Sequence, residues 1–249
     1  MFAIVHVREA PKHSSLTVTD CYFNSGNSST KREEHLVIFL LRDTLSLDFL
    51  IGNCLFEENE ISLIEGTGNV VIVDSVIRNN HEALFNMVSA QVLIANSTLS
   101  GNIEDSALIT FDGFSSLKIS HSVVQGSRTQ SIIYMGLVPN ENVRSSFFFD
   151  SVVFNDNFGF YILNANGVNG LISNCTFENN TLSSLYLINS NTGIANTSFL
   201  NNSGPYSQIV NYADNDGVSL GQVYRLEISN STFQSYGILP FVNANVHSP

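Results

Sequence analysis

The chain has 249 residues, 43% hydrophobic and 13% charged, and its 10 Lys and Arg against 22 Asp and Glu give a formal charge of -12. The apolar share is enough for a core and excludes wholesale disorder. The acidity argues against a nucleic-acid backbone or an anionic membrane surface as partner, because both are bound by clustered Lys and Arg.

The chain opens on Phe2-Ala3-Ile4-Val5, which reads as a strand, with no basic stretch leading into an apolar one and hence no visible signal peptide. Leu16 and Val18 then alternate with threonines. Asp20-Cys21-Tyr22-Phe23 breaks the alternation and resumes it, and a polar stretch leads to Leu36-Val37-Ile38-Phe39. The apolar run there ends at Arg42, too short to span a bilayer, so no membrane insertion is expected. The same phrase returns with Phe49, Ile51, Asn53-Cys54-Leu55-Phe56 and Ile61 to Ile64, and again with Val70, Ile72, Asp74-Ser75-Val76-Ile77 and Ala83 to Phe85. It continues through Asn96-Ser97-Thr98-Leu99, His121-Ser122-Val123-Val124 and a copy anchored at Phe154. Asn174-Cys175-Thr176-Phe177, Asn196-Thr197-Ser198-Phe199 and Asn230-Ser231-Thr232-Phe233 follow, and the last copy ends on the apolar patch at Ile238.

Nine anchors result: Phe23, Phe56, Ile77, Leu99, Val124, Phe154, Phe177, Phe199 and Phe233, with a shortest spacing of 21 residues, from Phe56 to Ile77. Alternation with period two means strands, and a break at Asn or Asp marks a residue tolerant of left-handed backbone, which turns a corner. Each unit therefore carries a leading strand, an anchor strand and a trailing strand. A unit of this kind cannot bury its own apolar face, whereas stacked units can. The fold class expected is all-β: a parallel solenoid of about nine coils with three short strands per coil, over residues 1–249 as one segment. Both ends fall in mid-coil without a polar cap, so the chain is expected to be a fragment of a longer solenoid. Helices are excluded by the β-branched, non-helical periodicity, and a leucine-rich repeat by the third strand.

Phe56-Glu57-Glu58-Asn59, Phe154-Asn155-Asp156-Asn157, Phe177-Glu178-Asn179-Asn180 and Phe199-Leu200-Asn201-Asn202 resemble the Phe-x-x-Asn repeat of polymorphic outer-membrane adhesins. The whole pattern resembles the right-handed parallel β-helix of the pectin-lyase-like superfamily. The resemblance implies right-handed coiling and an extracellular or cell-surface setting. It implies either an adhesion-type scaffold or, alternatively, a polysaccharide lyase or glycoside hydrolase-like protein whose active coil is degenerate or outside this segment.

The outward positions of the leading strands test the enzymatic alternative. They include Thr17, Leu50, Val71, Leu93, Lys118, Phe148, Leu171, Gly193 and Glu227. No neighbouring rungs pair carboxylates there, as glycoside hydrolysis requires, so no catalytic residue is assigned. Leu50, Val71, Leu93, Phe148 and Leu171 instead suggest an apolar interaction stripe, covered by the remainder of a parent chain or by another protein, with carbohydrate a further candidate partner. Cys21, Cys54 and Cys175 share a slot with Ser and Thr and read as packed thiols, with no zinc spacing. Asn53, Asn96, Asn174, Asn196 and Asn230 are expected to form an inward or corner-turning amide stack that satisfies backbone groups the corner leaves unpaired, with His121 as one corner variant. Of seven Asn-x-Ser/Thr sequons, Asn179 and Asn201 lie past the anchor and are the expected glycan acceptors. No cofactor is expected. Glu57, Glu58 and Glu60 read as a solvated corner, and Asp214-Asn215-Asp216-Gly217 as a solvated turn, with Asp214 and Asp216 the place where a weak calcium site would form. The insertions at residues 25–34, 138–146 and 213–222 read as surface excursions.

Overall fold

A computed structural model of the protein describes residues 2–8, 14–24, 36–42, 48–136, 145–203, 209–212, 224–234 and 242–245. Asp214 and Asp216, residues 25–34, 138–144 and 213–222, the sequon at Asn27 and most of the closing patch at Ile238 lie outside the described residues.

The described residues are all strand, turn or irregular, with no helix among them. Every strand pairing among them is parallel. The nine anchor strands, from Tyr22–Phe23 and Leu55–Glu57 to Ser198–Leu200 and Thr232–Gln234, form one nine-stranded sheet in sequence order. Leading and trailing strands share a second, curled sheet of seventeen strands. Ser62–Val73 and Phe85–Ala95 belong to both ladders, because in those two units the trailing strand runs on into the next leading strand. The three-strand unit expected from the sequence is therefore partly fused there. This order of parallel strands is compatible with a parallel β-helix.

The pairing is in register. Leu50 sits against Val71, Val71 against Leu93, and Lys118 against both Leu93 and Phe148. Register is fixed because a one-residue slip would move every apolar side chain to the wet face. Ile51, Ile72, Ile94, Ile119, Phe149, Ile172 and Ile194 are all buried and form one internal column. The anchors form another. Phe154, Phe177, Phe199 and Phe233 stack with centroids 4.7–4.9 Å apart, and Phe23 stacks on Phe56 at 4.7 Å. Ile77, Leu99 and Val124 fill the same slot between the two aromatic stacks. Each buried anchor contributes on the order of 1.5–3 kcal/mol of transfer free energy.

Two polar ladders run beside the apolar columns. In the slot two before the anchor, the backbone N–H of Cys54 donates to Ser75 Oγ, that of Ser75 to Ser97 Oγ and that of Ser97 to Ser122 Oγ, at 3.1–3.2 Å. Three past the anchor lies a ladder of buried amides: Asn59, Asn80, Asn102, Asn157, Asn180 and Asn202. Each side-chain N–H donates to the carbonyl of an anchor in the unit before, as Asn80 does to Phe56 and Asn180 to Phe154.

This corrects the expected place of the amide stack. Asn53, Asn96, Asn174, Asn196 and Asn230 are exposed, and what unites their slot is backbone. Asp20, Asn53, Asp74, Asn96, His121, Ser151, Asn174, Asn196 and Asn230 all have φ between 47° and 57°. A short polar side chain tolerates that left-handed conformation, which is why Asp, Ser and His also serve.

Candidate functional site

Among the described residues, the corner after the anchor strand also has positive φ. Most units place a side chain there: Glu58, Asn79, Asp156, Asn179 and Asn201. Units four and five have Gly101 and Gly126 instead, at φ 62° and 61°. The missing side chain at Gly126 leaves a notch in the ridge, while at Gly101 the Asn79 side chain stands where a Cβ would be. A Cβ on Gly126 would meet only the backbone nitrogen of Gly101, at 3.9 Å.

The notch opens into a cleft of about 780 Å³ across three units. Ile103, Glu104 and Asp105 form one wall, Arg128, Thr129 and Gln130 the floor, and Phe158, Gly159 and Phe160 the other wall. Parallel pairing aligns them: Ile103 lies against Arg128, Arg128 against Phe158, and Thr129 against Gly159. The N–H of Glu104 donates to the carbonyl of Arg128 at 3.0 Å, so the wall is tied to the floor. Strand alternation turns Phe158 and Phe160 outward together, and they remain 49% and 47% exposed, with Ile103 at 41%. Gly159 is required between them. Its φ is 146°, and a Cβ would stand 1.5 Å from the carbonyl oxygen of Thr129.

The polar groups are of both signs. Glu104 Oε1 accepts from the N–H and the hydroxyl of Ser106, at 3.2 and 3.1 Å, which fixes its carboxylate in the wall. Arg128 makes no ion pair among the described residues. Half-exposed rings beside hydrogen-bonding and charged groups suit a ligand with an apolar face and a polar edge. Glu104 and Asp105 are consecutive on one wall, so they do not flank a bond as a hydrolytic carboxylate pair must.

The expected interaction stripe lies elsewhere, on the outer side of the leading strands. Leu50, Val71 and Leu93 are stacked there and half-buried, and Phe148 and Leu171 continue the row past Lys118. Lys118 Nζ stands 5.2 Å over the Phe148 ring, so a cation lies across the middle of the row. On the next outward row Asp150 accepts from Ser173 Oγ at 2.8 Å and Asn174 Nδ2 at 2.9 Å. The Asn174 bond first, then the Ser173 bond, hold its carboxyl below the usual carboxylate range.

Of the acidic corner, Glu57 is ion-paired to Arg78 at 2.6 Å. Asn179 is exposed, while Asn201 is half-buried with Oδ1 shielded from solvent. Burial pushes the Cys175 thiol up to about 11 and raises that of Cys54 as well. No three His, Cys, Asp or Glu side chains converge as a metal-ligand set among the described residues, and no helix long and apolar enough to cross a membrane occurs among them.

Sequence reasoning missed the cleft. The signal was present: glycines in two consecutive units, at a slot that otherwise carries Asn, Asp, Glu or Ser. No protein-family model matches the chain, and no curated protein matches it.

Proposed function

We propose that the chain is a right-handed parallel β-helix segment of about nine coils that serves as a non-catalytic interaction scaffold in a surface or secreted protein, with the cleft at Phe158 and Phe160 as its recognition surface. One observation carries this reading. Two phenylalanine rings stand half-exposed beside a notch, whereas most of the other phenylalanines described, Phe154, Phe177 and Phe199 among them, are buried. Such rings are the usual anchors of recognition surfaces. The repeated buried Asn and Ser side chains support it further, because their hydrogen bonds are committed to holding one rung to the next.

The second reading is a carbohydrate-active protein. It is favoured by Glu104, Asp105 and Arg128 gathered beside the two rings, a cleft of the kind a glycan would occupy. It ranks second because the two carboxylates share one wall.

The test is binding of the purified chain to a panel of neutral and acidic oligosaccharides and extracellular-matrix proteins, with Phe158→Ala/Phe160→Ala as comparison. Binding that the double variant loses at an unchanged melting temperature is expected, with no new reducing or unsaturated sugar ends. Depolymerisation of a polysaccharide would replace this reading with the second, and equal binding by the variant would remove the cleft from it.

A further inference from the structure

Cys21 and Cys54 fill the same small slot of the first two units. Their anchor strands pair in register, Tyr22 against Leu55 and Phe23 against Phe56, and the N–H of Leu55 donates to the carbonyl of Cys21 at 2.8 Å. Each thiol donates to the carbonyl two residues earlier, Cys21 to Thr19 at 3.1 Å and Cys54 to Gly52 at 3.2 Å. Ser75, Ser97 and Cys175 make the same bond. The shared bond gives both thiols one rotamer, so the sulfurs repeat the spacing of their strands, about 4.8 Å. Cys54 Sγ also reaches the carbonyl of Val18 at 3.6 Å, in the unit that holds Cys21.

That spacing discriminates between two chemistries. A disulfide has a sulfur–sulfur bond of about 2.05 Å and Cβ atoms within about 4.5 Å. Forming one would turn both side chains and draw the rungs together. A metal–thiolate bond is about 2.3 Å, so an ion midway between the sulfurs touches both with neither strand displaced. Thiolates select soft ions such as Cu(I). Zinc sites take four ligands, and no third His, Cys, Asp or Glu converges on this pair among the described residues.

We propose that Cys21 and Cys54 form a two-coordinate thiolate site for a soft monovalent cation of the Cu(I) type, linking the first two units. On binding, each thiol gives its proton to water and releases its carbonyl hydrogen bond, and two sulfur–metal bonds form with no change of oxidation state. Cys21 is half-buried and provides the entry. Cys175 is the internal control: its slot holds Val152 and Thr197 on the adjoining units, and it lacks a sulfur neighbour.

The full chain, reduced and kept anaerobic, is titrated with Cu(I) against bicinchoninate, alongside Cys21→Ser, Cys54→Ser and Cys175→Ser. Serine already fills this slot at Ser75 and Ser97, so each variant is expected to fold, as circular dichroism would check. One equivalent is expected to bind the parent and the Cys175 variant, with affinity at least tenfold lower in the other two. The proposal is overturned if the parent retains no Cu(I), if the Cys21 and Cys54 variants bind as the parent does, or if alkylation before reduction reveals a Cys21–Cys54 disulfide in the isolated protein.

Discussion

Asn180 and Asn202 are joined across one rung by two hydrogen bonds to a single oxygen: Asn202 Oδ1 accepts from both the backbone N–H and the side-chain N–H of Asn180, each at 2.9 Å. Asn180 in turn accepts from the backbone and side chain of Asn157 at 3.1 and 3.0 Å and donates to the carbonyl of Phe154 at 2.9 Å. The Asn180 amide thus satisfies two backbone groups of the preceding unit, the N–H of Asn157 and the carbonyl of Phe154. Removing it leaves those groups unpaired away from water, at about 1–3 kcal/mol each. Asn180→Ala is expected to lose about 2–4 kcal/mol. Asn196→Ala, at an exposed corner with φ of 50°, is expected to lose about 1 kcal/mol. Urea unfolding of both variants checks the order, and equal losses would contradict the assignment of the two slots.

Phe177 stacks between Phe154 and Phe199 at 4.9 and 4.7 Å and is fully buried. Phe177→Ala removes a ring from the middle of a column that cannot close up without shifting two sheets. The expected cost is about 3–5 kcal/mol. A loss below about 1 kcal/mol, the size of a small side-chain trim, would mean that the rings are not packed rung on rung.

Gly126 and Gly159 both line the cleft but differ in what a methyl group would meet. Gly159→Ala drives Cβ into the carbonyl oxygen of Thr129, so it is expected to unfold the chain or lower its melting temperature sharply. Gly126→Ala enters open space and carries only the left-handed backbone penalty of about 1–2 kcal/mol. Thermal melts of the two variants should separate clearly, and a tolerated alanine at 159 would show that the wall is built differently.

The Asp150 carboxyl is depressed in the folded chain by its bonds to Asn174 and Ser173, with His121 and Lys118 adding smaller charge effects. Ionised Asp150 therefore favours the folded state at pH above its unfolded value near 3.8, and this contribution is lost as pH falls through the lower folded value. Ser173→Ala/Asn174→Ala should raise the Asp150 titration midpoint, read by carboxyl NMR. An unchanged midpoint would mean that the two hydrogen bonds do not form in solution.

Cys175 behaves in the opposite sense. Burial favours its neutral thiol, so its contribution is complete below the unfolded value of 9.0 and lost as pH rises toward about 11. Native protein at pH 8 should leave Cys175 unalkylated by iodoacetamide, with labelling only after denaturation. Rapid native labelling would place the thiol at the surface.

The columns were legible in the sequence because each anchor repeats its hydrophobic type at a fixed distance from a turning residue, from Phe23 through Phe233. The two asparagine slots were harder to separate, since an amide can turn a corner or stack inside. The distinction lay in what else each slot accepts. Asp20, Asp74, His121 and Ser151 show that the first slot selects a backbone angle, whereas Asn59, Asn80, Asn102, Asn157, Asn180 and Asn202, joined among the described residues by Ser127, show that the second selects a buried hydrogen-bonding side chain. In the row from Leu50 to Leu171, Leu50, Val71, Leu93 and Phe148 are half-buried and Leu171 is exposed, beside the fully buried Ile51, Ile72 and Ile94. The cleft was not legible, because it arises from a side chain that is absent at Gly126 and from residues of three units that strand pairing brings side by side.

The most direct test of the account is the set of proton–proton contacts across the ladders, by nuclear Overhauser spectroscopy on labelled protein. Rung-on-rung stacking predicts ring contacts between Phe177 and Phe199 and side-chain contacts between Ile172 and Ile194, with none of the close cross-strand Hα pairs of antiparallel sheet. Missing Phe177–Phe199 contacts, or antiparallel Hα pairs between these strands, would contradict it.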